Sequence, residues 1–372
     1  MRVCFLCSTP FQVFSAINIK NCYFRDELVD IYVYDYFKDS DKLSIKLKES
    51  SLFNYVIDCK YKTIHSQLVN NRGLRAIYRK FQFYKWNRGY ITKVLDKCVY
   101  DNVFYSNQDP INEIIVSELF TRNQSIIINH FEDGWVDYVF PYKYFYGERT
   151  RISNRFWKTP EEYFTRKTSY LYSPELAEAF KQNKSINRIT IDSRNTLLYT
   201  NPIFNYTKDA FIPGNVLYFD TLAENKLGIS SKDHLKVLDC CSAKIPLDNI
   251  IVKKHPRNFS TYYEDSGYNV YKYQSIPFEI ICANQNFENS LLISSFSTAC
   301  FSPNILFGQE PFIILTFKLT GLDSEMDDKT SNFLERICKN FSDNKKIMIP
   351  ESYEKLEQCI EFYTRCVKNE EN

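Results

Sequence analysis

The sequence predicts an α/β protein of two doubly wound domains with a cleft between them. Three observations point there. Short apolar runs alternate with helix-patterned segments in the first half of the chain, and the same rhythm returns in the second half. The length of 372 residues is also about that of two average domains.

Each element follows from its local pattern. Residues 3–7 (VCFLC) form a continuous apolar run of strand length, and 11–21 carry a helical pattern behind Ser8, Thr9 and Pro10, a helix-start signal. A second strand is expected at 30–34, a polar helix at 42–48, a short strand at 55–58 and a long basic helix over 72–93. Strands at 102–105 and 125–129 flank a helix at 111–119, and an aromatic, charged connection covers about 135–195. Beyond it, strands are expected at 215–219, 249–253, 269–271, 291–294, 312–315 and 347–349. Helices are expected at 232–240, 278–284, 297–306, 332–339 and 353–367. Strands separated by helices of this length build a mostly parallel sheet, and in such sheets ligands sit beyond the carboxyl ends of the strands.

Composition narrows the function. With 47 basic and 45 acidic side chains, the formal net charge of +2 gives no field able to neutralise many phosphates, so nucleic acid is not an expected partner. Only 9 glycines are present, and neither GxGxxG nor GxxxxGK[ST] occurs, so a bound phosphate must be held by other groups. Phe (30) and Tyr (28) are abundant. The 12 cysteines are scattered through apolar runs, as free buried cysteines are, and Cys4 and Cys7 form a CxxC inside one expected strand with no second pair. A chain of this size needs no disulfides, so a cytoplasmic location is expected. The apolar stretch at the N-terminus is broken by Ser8, Thr9, Pro10 and Gln12, which argues against a signal peptide, and no apolar run spans a bilayer. Between Arg72 and Lys93 basic and aromatic residues interleave without an acid. That segment reads either as a helix lying on a membrane surface or as a surface helix whose aromatics pack inward.

Polar residues cluster directly after expected strands. Ser8, Thr9 and Gln12 follow the first. His130, Glu132, Asp133 and Gly134 follow 125–129, Asp220 follows 215–219, and Lys254, His255, Pro256 and Arg257 follow 249–253. Ser295, Ser297 and Thr298 follow 291–294 and open a helix, where hydroxyls and free N–H groups suit a phosphate oxygen, or serve simply as a helix cap. His255 between basic neighbours suits binding or protonating a phosphate leaving group. Of Glu132 and Asp133, one can act as general base while backbone N–H groups hold the other; a turn explains Asp-Gly equally well. Asp220 reads as a base or as a helix cap.

These motifs resemble those of bacterial sialyltransferases, and most of all the lipooligosaccharide sialyltransferases of glycosyltransferase family 52. The resemblance rests on Phe131-Glu132-Asp133-Gly134, His255-Pro256-Arg257 and Phe296-Ser297-Thr298-Ala299, in that order. The opening Cys7-Ser8-Thr9-Pro10-Phe11-Gln12 and the basic, aromatic stretch 151–169 are similar as well. It implies a GT-B architecture of two Rossmann-like domains: 1–195, on the acceptor side and including the connector at about 135–195, and 196–372, binding the CMP-sugar donor. It also implies CMP-sialic acid as donor, a galactose-terminated glycan of a lipooligosaccharide or capsule as acceptor, inverting α-2,3 transfer and no metal or other cofactor. Carried over by position, His255 is the general acid at the donor phosphate, with Pro256 and Arg257 completing its motif. Ser297 and Thr298 contact that phosphate, Glu279 contacts cytidine or ribose, and Thr9, Gln12 and Lys254 lie on the donor path. Asp220 matches the base proposed for the lipooligosaccharide enzymes and Asp133 the base of related families, with a slight preference for Asp220. The resemblance leaves open transfer from a UDP-sugar, or a non-catalytic role in polysaccharide assembly. A homodimer exchanging the connector, and peripheral membrane contact through 72–93, are further expectations. Connector aromatics (Trp135, Tyr138, Phe140, Tyr142, Tyr144, Phe145, Tyr146, Phe156, Trp157, Tyr163, Phe164) either stack on sugars or, for most of them, pack in a core or dimer interface.

Overall fold

A computed structural model describes residues 1–60, 89–95, 98–139, 158–177, 185–221, 230–255, 258, 260–321 and 328–370. The chain forms two compact units, Met1–Phe204 and Asn205–Asn372. In the first unit a parallel sheet contains β1 (Arg2–Cys7), β2 (Leu28–Tyr34), β3 (Tyr55–Cys59), β4 (Asn102–Tyr105), β5 (Ile127–Phe131), β6 (Thr168–Leu171) and β7 (Ser185–Arg188). Its spatial order is β3-β2-β1-β4-β5-β6-β7. In the second unit β8 (Val216–Phe219), β9 (Ile250–Lys253), β10 (Asn269–Val270), β11 (Leu291–Ser294), β12 (Phe312–Leu315) and β13 (Ile347–Met348) follow the order β10-β9-β8-β11-β12-β13. Both orders begin beside the first strand, grow to one side and then restart on the other. That is the Rossmann winding, which leaves a crevice at the reversal. The reversals lie between β1 and β4, where Val3 pairs with Asn102, and between β8 and β11, where Val216 pairs with Leu291.

The central strands are covered on both faces, which is why they read as unbroken apolar runs rather than alternating ones. Val3 through Cys7 are all buried. Among the described residues most of the Phe and Tyr side chains lie in the core, and eight tyrosines lead the largest fully buried side chains. Their phenols find partners, as buried phenols must. Tyr100 donates to Asp30 (2.7 Å) and pairs with Tyr32 (2.9 Å), Tyr34 donates to Asn112 (2.5 Å), and Tyr218 meets His234 Nδ1 (2.5 Å).

Several boundaries differ from the sequence reading. β5 runs two residues further than expected, so His130 lies inside the strand, buried, rather than after it. The connection at 135–195 contains β6 and β7, both only four residues long. Helix Ser193–Ile203 belongs to the first unit, where Thr196 Oγ1 donates to Asn18 Oδ1 (2.9 Å) of helix Pro10–Tyr23. The single helix expected at 297–306 is a 3₁₀ turn, Thr298–Cys300, followed by helix Ser302–Phe307. Cys4 and Cys7 are buried in β1, and burial pushes both thiols well up. Of the basic segment 72–93, only 89–93 lies within the described residues. No helix among the described residues is long and apolar enough to cross a membrane.

Candidate functional site

In the first unit the site is built where β1, β4 and β5 end side by side. Thr9 caps helix Pro10–Tyr23: its extended backbone (φ −137°, ψ 156°) lets its hydroxyl accept from Gln12 N at 3.1 Å. The same hydroxyl donates to Asp133 Oδ1 at 3.1 Å. Gln12 is buried, and its Oε1 accepts from Ser8 N (2.6 Å), while Asn107 beyond β4 donates from Nδ2 to Ser8 Oγ (3.2 Å). Gly134 closes the acidic motif with φ +140°, a conformation that favours glycine.

The two adjacent acids are treated differently. Glu132 is buried; its Oε2 accepts from the Tyr172 backbone N (2.9 Å) and from the Tyr138 hydroxyl, which fastens β5 to the chain beyond β6. Asp133 is half-buried. Burial and the nearby Asp137 charge push its pKa up to about 7, against the hydrogen bond donated by the Thr9 hydroxyl. Asp137 Oδ2 accepts from Asp133 N at 2.7 Å. Its Oδ1 lies 2.7 Å from Arg166 Nη1 and 3.1 Å from His130 Nε2. Arg166 also donates from Nη2 to Ser106 O at 3.2 Å. Burial pushes Asp137 up, but His130, Arg166 and the Asp133 N–H outweigh it and hold that carboxyl below its usual value. Burial and then the Arg166 charge lower the affinity of His130 for a proton. Sequence reasoning missed Asn107, Asp137 and Arg166. Only Asp137, one helical turn past Asp133, carried a local signal.

In the second unit the strand-end residues gather around Asp220, whose side chain is 1% exposed. Its Oδ2 accepts from the His255 backbone N (3.2 Å) and from Asn258 Nδ2 (2.6 Å), and its Oδ1 accepts from the Tyr263 hydroxyl (3.0 Å). The His255 carbonyl accepts from Asn258 N (2.8 Å), so Asp220 accepts from two residues that are themselves bonded to each other. Lys254 Nζ donates to Ser260 O (2.7 Å) and pairs with Glu264 Oε1 (2.9 Å). Pro256 and Arg257 lie outside the described residues.

Beside them, Lys253 at the end of β9 is buried and donates from Nζ to Ile276 O (2.9 Å); burial pushes its pKa down to about 8, against the Glu279 charge. Glu279 Oε1 accepts from Ser302 Oγ (3.0 Å), and burial raises its pKa. Ser297 caps the 3₁₀ turn, its Oγ accepting from Ala299 N (3.3 Å), and Thr298 begins that turn. Ser295 and Thr316, beyond β11 and β12, are fully buried hydroxyls with no hydrogen-bond partner. Among the described residues no group of three or more His, Cys, Asp and Glu is arranged to hold a metal. Of the connector aromatics, Tyr138 and Tyr163 are core residues, Trp135 and Phe164 are partly buried, and Phe140, Tyr142, Tyr144, Phe145, Tyr146, Phe156 and Trp157 lie outside the described residues.

No protein-family model and no curated protein sequence matches the chain. Solved structures do. An α/β-galactoside α-2,3-sialyltransferase from Photobacterium phosphoreum is similar over 94% of this chain and 98% of its own, with TM-score 0.53 and 11% identity. A UDP-GlcNAc 2-epimerase from Methanocaldococcus jannaschii is similar over 98% of this chain and 92% of its own (TM-score 0.52, 13% identity). The UDP-GlcNAc 2-epimerase of Neisseria meningitidis covers 100% of this chain and 92% of its own (0.52, 11%). At such identities the likeness is one of fold: two Rossmann-like domains of the GT-B type, common to glycosyltransferases and nucleotide-sugar epimerases.

Proposed function

We propose that this protein is a metal-independent, inverting sialyltransferase that moves sialic acid from CMP-sialic acid to a terminal galactose of a bacterial surface glycan, with α-2,3 linkage. The observation that carries the reading is Asp133: a carboxyl at a strand end, raised to about 7 by burial and a neighbouring charge, is suited to taking a proton at neutral pH. In this reading the first unit serves the acceptor. Asp133 removes the proton of the galactose hydroxyl as its oxygen bonds to the anomeric carbon of the donor. The second unit serves the donor. The bond from that carbon to the CMP phosphate oxygen breaks with both its electrons going to the phosphate, and His255 donates the proton that neutralises it. Ser297 and Thr298 add hydroxyl donors to the same phosphate. A monophosphate leaving group carries less charge than a diphosphate, which fits a sequence without a glycine-rich phosphate loop. Asp220, with both oxygens accepting hydrogen bonds, acts through His255 as its positioning residue.

The test combines binding and turnover. CMP is expected to raise the melting temperature and UDP is not, since a ligand bound to the native state stabilises it. Incubation with CMP-sialic acid and a panel of galactosides, with a chelator present, is expected to give sialylated product by mass spectrometry. Stabilisation by UDP alone would move the reading to a UDP-sugar transferase. CMP binding with neither transfer nor donor hydrolysis would move it to a binding protein.

A further inference from the structure

We infer that Asp137, clamped by Arg166 and His130, is a positioning residue that fixes the Asp133 backbone and holds a permanent negative charge beside the Asp133 carboxyl. This rests on the reading of Asp133 as the base and adds the device that makes it one.

The geometry is specific. One oxygen of Asp137 accepts the backbone N–H of Asp133 at 2.7 Å, which sets where residue 133 leaves β5. The other lies 2.7 Å from Arg166 Nη1 and 3.1 Å from His130 Nε2. Arg166 is in turn fixed to the Ser106 carbonyl beyond β4, so the clamp joins β5, the β4 loop and the short helix Val136–Val139. A buried carboxylate with a guanidinium partner stays ionised, and a like charge nearby disfavours ionisation of its neighbour. The remaining groups around Asp133 are Cys7 at the end of β1, Thr9 and Gln12 at the start of helix Pro10–Tyr23, and Asn107 beyond β4. None of these is a cation. Among the described residues the Arg166 guanidinium is committed to Asp137, which leaves Asp133 as the carboxyl that changes protonation.

Three variants test this. Asp137→Asn removes the charge, Asp137→Glu keeps it, and the double variant D137N/R166Q removes both partners, so that no unpaired buried cation remains to unfold the protein. The first readout needs no substrate: the carbon-13 carboxyl resonance of Asp133, assigned by its loss in Asp133→Asn, is followed with pH. In the wild type its midpoint is expected near 7. In Asp137→Asn and in the double variant the midpoint is expected to fall by about one unit, and in Asp137→Glu to stay. The second readout is the pH profile of sialyl transfer, whose acid limb is expected to move with the resonance. Turnover at pH 6 relative to pH 8 would then rise about fivefold. An unchanged midpoint in both charge-removing variants overturns the inference, whatever happens to activity. A shifted midpoint with no transfer from CMP-sialic acid in any form leaves the clamp standing and overturns the functional reading instead.

Discussion

Asp133 and Asp220 both follow parallel strands, one two residues past β5 and the other directly past β8, and their surroundings are opposite. Asp220 accepts hydrogen bonds from a backbone N–H, an amide and a phenol. Asp133 sits next to a second carboxylate whose own cationic partner points its charge elsewhere. A carboxylate whose oxygens are filled by neutral donors is a fixed part of the scaffold. One pressed against a like charge holds its ionised form less firmly and gives or takes a proton near neutrality. On the proposed function, the base moves from Asp220, which the sequence slightly favours, to Asp133, and Asp220 is left to place His255.

The largest effect that would break this division is on turnover. Asp133→Asn and His255→Ala are each expected to lower transfer about 100- to 10,000-fold, the usual contribution of a general base or acid, while circular dichroism stays native. Near-wild-type rates in Asp133→Asn would return the base to Asp220. The next effect falls on the other side. Asp220→Asn turns an acceptor of three hydrogen bonds into an amide whose N–H groups face donors, so a loss of about 2 kcal/mol in unfolding free energy is expected. Its residual activity should keep the wild-type acid limb in the pH–rate profile. If that limb disappears while stability is unchanged, Asp220 is the base and not the support.

Much of this fold was legible in the sequence because buried parallel strands are apolar along their whole length; 3–7, 102–105, 291–294 and 312–315 could scarcely be read otherwise. β6 and β7 were not, since TSYL and SINR are short, half polar and lie in a stretch dominated by aromatic and charged residues. The positions of Asp133, Asp220 and His255 at strand ends were also legible. The meaning of each was not, because it depends on partners brought together by folding. Arg166 reaches Asp137 across 29 positions, and Tyr263 reaches Asp220 across 43. Ser297 and Thr298 follow β11 as the sequence predicts, but the single helix expected from 297 is a 3₁₀ turn and then a separate helix, Ser302–Phe307, with Pro303 in its first turn.

The last expected effect is the sharpest test of the contrast, because it is a matter of sign. Asp133 has a folded-state pKa of about 7, above the unfolded value of about 3.9. Between those two values the folded protein holds a proton that the unfolded chain has released, so this group makes stability fall as pH rises from about 4 to about 7. Above 7 the carboxylate is ionised in both states and the penalty is complete. Asp133→Asn removes the penalty. The variant is therefore expected to melt a few degrees above the wild type at pH 8 and together with it at pH 4, in calorimetric scans at both values. For Asp220→Asn the shift has the opposite sign, because the amide turns N–H groups toward donors from which the carboxyl oxygens now accept. Both variants destabilising at pH 8 would mean that the Asp133 side chain too is held by its surroundings, and the difference between the two aspartates would vanish.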